Sequence, residues 1–217
     1  MSKFSKIATA TALLLSAAAS QAITVVYTFN STAVGAFGSA PFGTVSLTES
    51  GSNIDVEVKL RSDMNFVTTG GHTLFAFNAA NTVASDIVNI ADATPRTGEY
   101  TAFKSGTDGY NAVNPPFGSF LFGIECNLCK NGSGDQQADP LKFTVINADL
   151  GDFANKSVDG NFAAYFSADV ITGSSTGAVG ATGQGVVTVV PEPETYALML
   201  AGLGVMGFIA RRRKQHA

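Results

Sequence analysis

Hydrophobic and polar residues alternate along much of the middle of the chain, most clearly between Thr44 and Leu60. Apolar side chains recur there at every second position, and the polar segment 49–53 separates two such runs. Alternation with a period of two is typical of a strand with one buried face, and Gly, Ser and Asn in the middle favour a turn. The pattern predicts a β-hairpin over residues 44–60, with Asp55 and Glu57 on its solvent face.

Shorter runs of the same kind occur on both sides of this hairpin. They cover residues 23–30, 73–78, 119–125, 141–147, 162–171 and 185–190. Clusters of Gly, Asn and Pro separate them, as expected for turns between strands. We therefore predict an all-β fold, an antiparallel β-sandwich of jelly-roll type.

Two segments fit this pattern less well. Residues 80–93 are also compatible with a short helix. Residues 173–185 are almost entirely Gly, Ser, Thr and Ala, which favours a loop or the beginning of a spacer, so that 173–190 is partly spacer and partly last strand.

The first 22 residues have the organisation of a secretory signal peptide. Lys3 and Lys6 precede an uncharged stretch with three consecutive leucines at its centre, and Ser20-Gln21-Ala22 places small residues at a cleavage site. We predict cleavage after Ala22, which leaves residues 23–190 as a single-domain body.

The C-terminal residues 191–217 combine three different features. Pro191-Glu192-Pro193 comes first, the uncharged residues 195–210 follow, and Arg211, Arg212, Arg213 and Lys214 stop the apolar run. A cationic cluster stays on the cytoplasmic side of a membrane, so the body lies outside. As a helix, 195–210 is about 24 Å long, which is short for a hydrocarbon core of about 30 Å. This predicts a transmembrane helix that anchors the chain only temporarily.

This three-part tail resembles the PEP-CTERM sorting domain of exopolysaccharide-producing Gram-negative bacteria. The resemblance implies recognition by an exosortase, a membrane-embedded processing enzyme, through Pro191, Glu192 and Pro193. It also implies export by signal peptidase and the general secretion machinery, transient anchoring in the inner membrane, and delivery to the outer surface or extracellular matrix.

The charge of the body excludes one class of partner. Residues 23–190 contain seven Lys or Arg against fifteen Asp or Glu, a net charge of −8. Such an acidic body does not attract nucleic acid. It fits an extracellular protein kept soluble by self-repulsion, or one that meets divalent cations.

Cys126 and Cys129 form a Cys-x-x-Cys pair with several possible roles. Lys130 follows where haem attachment requires His, and zinc would need two further ligands although His72 is the only histidine of the body. The residues after Cys129 favour a turn over the helix of a redox dithiol. In an oxidising compartment we therefore predict a structural disulfide.

The surroundings of this pair carry a second resemblance. Residues 122–129, the Gly-rich turn that follows, and residues 140–145 are similar to a body type of some PEP-CTERM proteins of unknown activity. Residues 69–73 and 75–78 belong to the same pattern. This resemblance implies no reaction.

No catalytic arrangement is evident among the remaining polar residues. His72 lies between threonines without a nucleophile motif, which favours a structural, hydrogen-bonded histidine. Asp149 and Asp152 are weak calcium candidates, because they lack the spacing of known calcium loops. We predict no cofactor, and the absence of Trp argues against a glycosidase.

These observations lead to three functional hypotheses. The first is a non-enzymatic surface or matrix protein with a structural or adhesive role in the exopolysaccharide layer or biofilm. The second is a carbohydrate-binding jelly roll, with or without calcium. The third is a secreted hydrolase that uses His72 or an acid pair.

Overall fold

Two antiparallel sheets form the body of the protein in a computed structural model, which describes residues 22–93, 99–107, 109–127, 129, 132, 140–190, 201–203 and 206. Strands are numbered in chain order. Sheet 1 has the spatial order β13 (Val186–Val190), β1 (Ala22–Phe29), β3 (Gly43–Ser50), β4 (Asn53–Leu60), β10 (Leu141–Val145) and β7 (Ile87–Ala91). Every neighbouring pair in it is antiparallel.

Sheet 2 contains the remaining strands of the described residues. Its order is β2 (Ser31–Thr32), β12 (Ser175–Ala181), β11 (Phe166–Thr172), β6 (Phe75–Phe77), β9 (Phe122–Cys126) and β8 (Tyr100–Lys104), and β5 (Asn65–Phe66) also pairs with β11. Three 3-10 helices connect strands: Gly35–Phe37, Ala84–Asp86 and Leu150–Phe153.

The strands predicted from the alternating pattern are confirmed. The hairpin is β3 and β4, with Gly43 opposite Leu60 and Ser50 opposite Asn53. Each of the six shorter runs overlaps one strand, with bounds that differ by up to four residues: β1, β6, β9, β10, β11 or β13. Three pairs of consecutive strands, β3–β4, β8–β9 and β11–β12, are hydrogen-bonded neighbours, whereas the other consecutive strands of the described residues are not paired with each other.

Residues 80–93, which the sequence left open to a short helix, contain only a very short one and are otherwise mainly a strand. A single 3-10 turn, Ala84–Asp86, leads directly into β7, which forms the edge of sheet 1 beside β10. The Ile87, Val88 and Ile90 side chains fit a strand, and pairing with β10 outweighs the weak helical pattern.

The loop expected over residues 173–185 is also wrong, because most of it is β12. Its small residues reflect what packs on them: a Cβ atom on Gly180 would collide with the Phe117 ring, and one on Gly177 would collide with Val34. A glycine-rich sequence here marks a strand that other side chains approach closely, rather than a spacer.

Phenylalanine rings fill the space between the two sheets. Phe77 of β6 lies 5.3 Å from Phe143 of β10 and 6.1 Å from Phe153, measured between ring centroids. Tyr27 of β1 reaches Phe166 of β11 at 4.9 Å. Because these rings come from both sheets and are buried, the fold is a β-sandwich with an aromatic core.

The outer faces of the two sheets differ. Phe117, Phe120 and Ala112, from the segment between β8 and β9, pack on Ala76 and Ala178 of sheet 2. Sheet 2 is therefore covered on both sides over much of its area. Sheet 1 keeps a polar face toward solvent, seen in the alternating burial of β4 and β10.

Residues 1–21 and 191–217 belong to a separate unit. Of these, residues 201–203 and 206 are helical. Among the described residues, no helical segment has the length and apolarity that a membrane crossing requires. The rest of the predicted signal peptide and transmembrane helix lies outside the described residues, so both stay predictions.

The aromatic core leads to a prediction about stability. Replacing Phe77 by Ala should lower the free energy of unfolding by about 3–5 kcal/mol, because the fully buried ring leaves a cavity between the sheets. Phe162→Ala is the matched control, since that ring is 49% exposed and should cost less than about 1 kcal/mol. Urea unfolding measures both, and equal losses would contradict the assignment of Phe77 to the core.

Candidate functional site

The two ends of the body meet at one edge of sheet 1. Ala22, the first residue of β1, pairs with Val190, the last residue of β13. Pro191 follows Val190 directly in the sequence. Pro191, Glu192, Pro193 and the cluster Arg211, Arg212, Arg213 and Lys214 lie outside the described residues. Cleavage after Ala22 stays a prediction. Such a cut would remove Ala22, the first paired residue of β1, and leave the pairs from Ile23 onward.

The open face of sheet 1 is a broad polar surface, which we call the sheet 1 face. One cross-strand row runs through Thr188, Thr24, Thr48, Asp55 and Thr144. The hydroxyls of Thr24 and Thr48 are 3.0 Å apart, and Thr144 donates to Asp55 Oδ1 at 2.7 Å. Hydroxyl groups thus hold one another along the row and leave hydrogen-bonding capacity toward solvent.

A charged group lies in the next row of this face. Glu57 is 3.1 Å from Lys142 and 3.4 Å from Lys59. Burial alone would raise the pKa of the Glu57 carboxyl, but the hydrogen bond and charge of Lys142, together with Lys59, lower it below its ordinary value. The carboxylate is therefore ionised at neutral pH and fixes the position of Lys142.

A shallow cavity of about 430 Å³ lies on the sheet 1 face. Ser46, Asp55, Glu57, Asn89 and Lys142 are among the residues that line it. Phe143 also lines it, although its ring packs into the aromatic core. The cavity therefore offers hydroxyl, amide, carboxylate and ammonium groups without an aromatic platform.

His72 is hydrogen-bonded, as the sequence predicted. Its Nδ1 lies 3.2 Å from Oδ1 of Asp169, a fully buried carboxylate on β11. The other oxygen of Asp169 accepts from both the backbone N–H and the hydroxyl of Thr69, each at 2.6 Å. Asp169 thus fastens the 69–72 segment onto sheet 2.

This arrangement supplies only part of a catalytic triad. A buried carboxylate orients the imidazole, as the acid of a triad does. Within the described part of the chain, however, no hydroxyl is hydrogen-bonded to His72, and the Thr69 hydroxyl donates to Asp169 instead. The contacts are those of a structural clamp.

Glu125 of β9 is a second acidic group near this clamp. Burial, and then the charge of Asp169, raise the pKa of its carboxyl to about 7, although a hydrogen bond to the Leu74 backbone partly opposes them. The sequence signal for both groups is a single acid within an otherwise apolar strand, at Glu125 and at Asp169. Neither acid is among the candidate site residues predicted from the sequence.

Cys126 and Cys129 lie at the end of β9, with their sulfurs within disulfide-bonding distance and their Cα atoms 5.3 Å apart. Their third neighbour, Glu99, was not predicted from the sequence. Oε1 of Glu99, a buried residue just before β8, lies 3.5 Å from the Cys126 sulfur and 3.6 Å from that of Cys129.

Asp149 and Asp152 have structural roles. Asp149 Oδ1 accepts from the Gly151 N–H at 2.8 Å, and Asp152 Oδ2 accepts from the Asp149 N–H at 3.0 Å. Together these two hydrogen bonds cap the start of the 3-10 helix Leu150–Phe153. Asp152 also accepts from the Asn81 side chain at 3.1 Å. Calcium binding there stays a prediction, and these contacts already engage three of the four carboxylate oxygens.

Comparison with known protein families identifies the C-terminal segment. Residues 189–214 match the family model of the PEP-CTERM protein-sorting motif. The chain carries a PEP-CTERM sorting motif. This motif implies an exported protein that is sorted by way of the membrane and processed by an exosortase. No curated protein and no solved structure shows significant similarity to the chain, and the type of the body is not identified.

The raised pKa of Glu125 leads to a prediction about pH. Because the carboxyl has a pKa of about 7 in the folded protein and 4.5 ordinarily, the fold disfavours its ionised form. The contribution of Glu125 to stability is present in full below pH 4.5 and is lost as pH rises through 7. Between about pH 5 and 8 we expect the free energy of unfolding to fall by about 2–3 kcal/mol through this group.

Two variants isolate this effect in urea unfolding at several pH values. Glu125→Gln should remove that part of the pH dependence. Glu57→Gln should leave it unchanged, because the lowered pKa of Glu57 places its titration below the window. An unaltered slope in Glu125→Gln would show that another group titrates.

Proposed function

We propose that this protein is a non-enzymatic, exosortase-processed component of the cell surface or extracellular matrix of a Gram-negative bacterium. Its sandwich body has a structural or adhesive role in the exopolysaccharide layer or biofilm. The sorting motif carries the proposal, because it directs the chain out of the cell. The contacts of His72 support the non-enzymatic part, since the histidine serves a clamp.

The junction between body and tail supports release of an intact body. The matched motif begins at residue 189, within β13, so the sandwich continues up to the motif without a spacer. Removal of residues beyond Val190 would leave each strand of sheet 1 complete.

Processing is tested by expressing the full chain in a PEP-CTERM host with and without its exosortase gene. We expect the intact host to release a body that lacks the C-terminal Arg cluster, and the deletion strain to retain the uncut chain in its membrane. Intact mass and a C-terminal antibody measure this. Replacing Pro191, Glu192 and Pro193 together by Ala should reproduce the deletion, whereas Gln215→Ala should not. An identical C-terminus and location in both hosts would contradict the proposal.

Carbohydrate binding is the second candidate function, with a jelly-roll-like body as its structural premise. The observation that favours it is the cavity on the sheet 1 face, where Asp55, Asn89 and Lys142 lie close together. Carboxylate, amide and ammonium groups of this kind hydrogen-bond sugar hydroxyls.

We expect the released body to bind exopolysaccharide purified from the same host. Asn89→Ala and Lys142→Ala should each weaken binding by at least about tenfold, because each variant loses one good polar contact. Lys104→Ala is the control, because Lys104 is an exposed cation of sheet 2. Calorimetry with and without added calcium measures affinity. Absence of binding, or equal affinities in all variants, would exclude this site.

A further inference from the structure

The pair Cys126 and Cys129 has a third partner that is far away in sequence. Glu99 is only 1% exposed, and its Oε1 lies nearly equally far from the two sulfurs, at 3.5 and 3.6 Å. Among the described residues, these three are the one group of Cys, His, Asp or Glu side chains whose ligand atoms all lie within 4.8 Å of one another. The carboxylate therefore faces both sulfurs at once.

The strand pairing places Glu99 there. Cys126 is opposite Tyr100 in the pairing of β8 with β9, and the Asn127 N–H donates to the Glu99 carbonyl at 2.7 Å. Beyond Cys129, the Gly132 N–H donates to the Thr68 carbonyl at 2.8 Å. Backbone hydrogen bonds thus hold the three side chains in position on both sides of the pair.

The distances agree with those between ligands of one tetrahedral metal ion. With a zinc–sulfur bond of about 2.3 Å, a zinc–oxygen bond of about 2.0–2.2 Å and an angle of about 109°, a sulfur and an oxygen ligand lie about 3.5–3.7 Å apart. Both distances from Glu99 fall in this range. Only the two sulfurs would have to separate, to about 3.8 Å, once the bond between them is absent.

The chemistry of the three groups favours the same conclusion. The sulfurs of a disulfide carry no hydrogen and cannot donate to a carboxylate, whereas two thiols can. Two thiolates and one carboxylate suit a borderline-soft divalent cation such as zinc, and they would share its charge within a buried site. Two thiols or a bound cation would therefore interact favourably with Oε1, which a disulfide would not.

We propose that Cys126, Cys129 and Glu99 form a binding site for a divalent cation of the zinc class when the cysteines are reduced. The three side chains fill three positions of a tetrahedron. Cys129 is only half-buried, so water has access to the fourth position.

Metal binding and disulfide formation exclude each other at this site. The chain is synthesised with two thiols, and binding the cation releases their two protons to solvent. Oxidation instead removes two electrons and two protons, which reduce the disulfide of a partner protein to a dithiol. Opening the Cys126–Cys129 bond again requires a dithiol, which becomes a disulfide as the two thiols form.

Cobalt(II) provides the test, because thiolate–cobalt bonds give a charge-transfer absorption. The full chain in detergent is reduced with a phosphine, freed of reductant and titrated without oxygen. We expect one Co²⁺ per chain with this absorption, and displacement by Zn²⁺. The air-oxidised chain and Cys126→Ser should lack the absorption. Glu99→Gln should keep the thiolate absorption but weaken Co²⁺ binding at least about tenfold. The Co²⁺ affinity of Glu99→Asp should lie between that of Glu99→Gln and that of the original chain.

Glu49→Gln is the control for loss of a carboxylate, since Glu49 lies on β3 of the other sheet. Circular dichroism establishes that each variant is folded, and Glu99→Asp supplies the comparison if Glu99→Gln unfolds. Absence of the thiolate absorption from the reduced chain would overturn the proposal. So would equal Co²⁺ affinity of the original chain and the folded Glu99 variants.

Discussion

Contact between phenylalanine rings across the two sheets is the interaction on which the rest of this structure depends. The ring of Phe77 contacts four other phenylalanine rings. They belong to its own strand, to β9, to β10 of the opposite sheet and to the 3-10 helix at Leu150–Phe153. The chain has no Trp, so sixteen Phe residues supply most of its large aromatic surface. Because the rings occupy the inner faces of both sheets, every polar function of the body must lie at strand ends or on the outer faces.

The outer faces use polar residues in opposite ways. On sheet 2, covering segments bury Asp169, and its carboxylate is stabilised by three hydrogen bonds to Thr69 and His72 on the segment that it fastens. On sheet 1, Glu57 is held by two lysines at the surface and stays accessible. Asp169 on sheet 2 therefore holds a segment of the fold in place, whereas Glu57 on sheet 1 is available to a ligand.

The sequence predicts features that depend on neighbouring residues. Alternation identified the hairpin of β3 and β4 because each strand buries one face, and the tail was identified from a contiguous motif. β12 was missed because its glycines are required by residues far away in the chain: Gly180 by Phe117 and Gly177 by Val34. The clamp at His72 and the third partner of the cysteines were missed for the same reason: Asp169 and Glu99 reach them only through strand pairing.

The pairing of β1 with β13 restricts where the tail can be removed. An uncovered edge strand offers its backbone N–H and C=O groups to strands of other molecules, which promotes aggregation. β13 covers that edge of β1 from Val26 to Ala22. A cut beyond Val190 leaves the five-residue β13 as the edge of sheet 1, whereas a cut inside β13 would expose the eight-residue β1, a longer edge for pairing with other molecules.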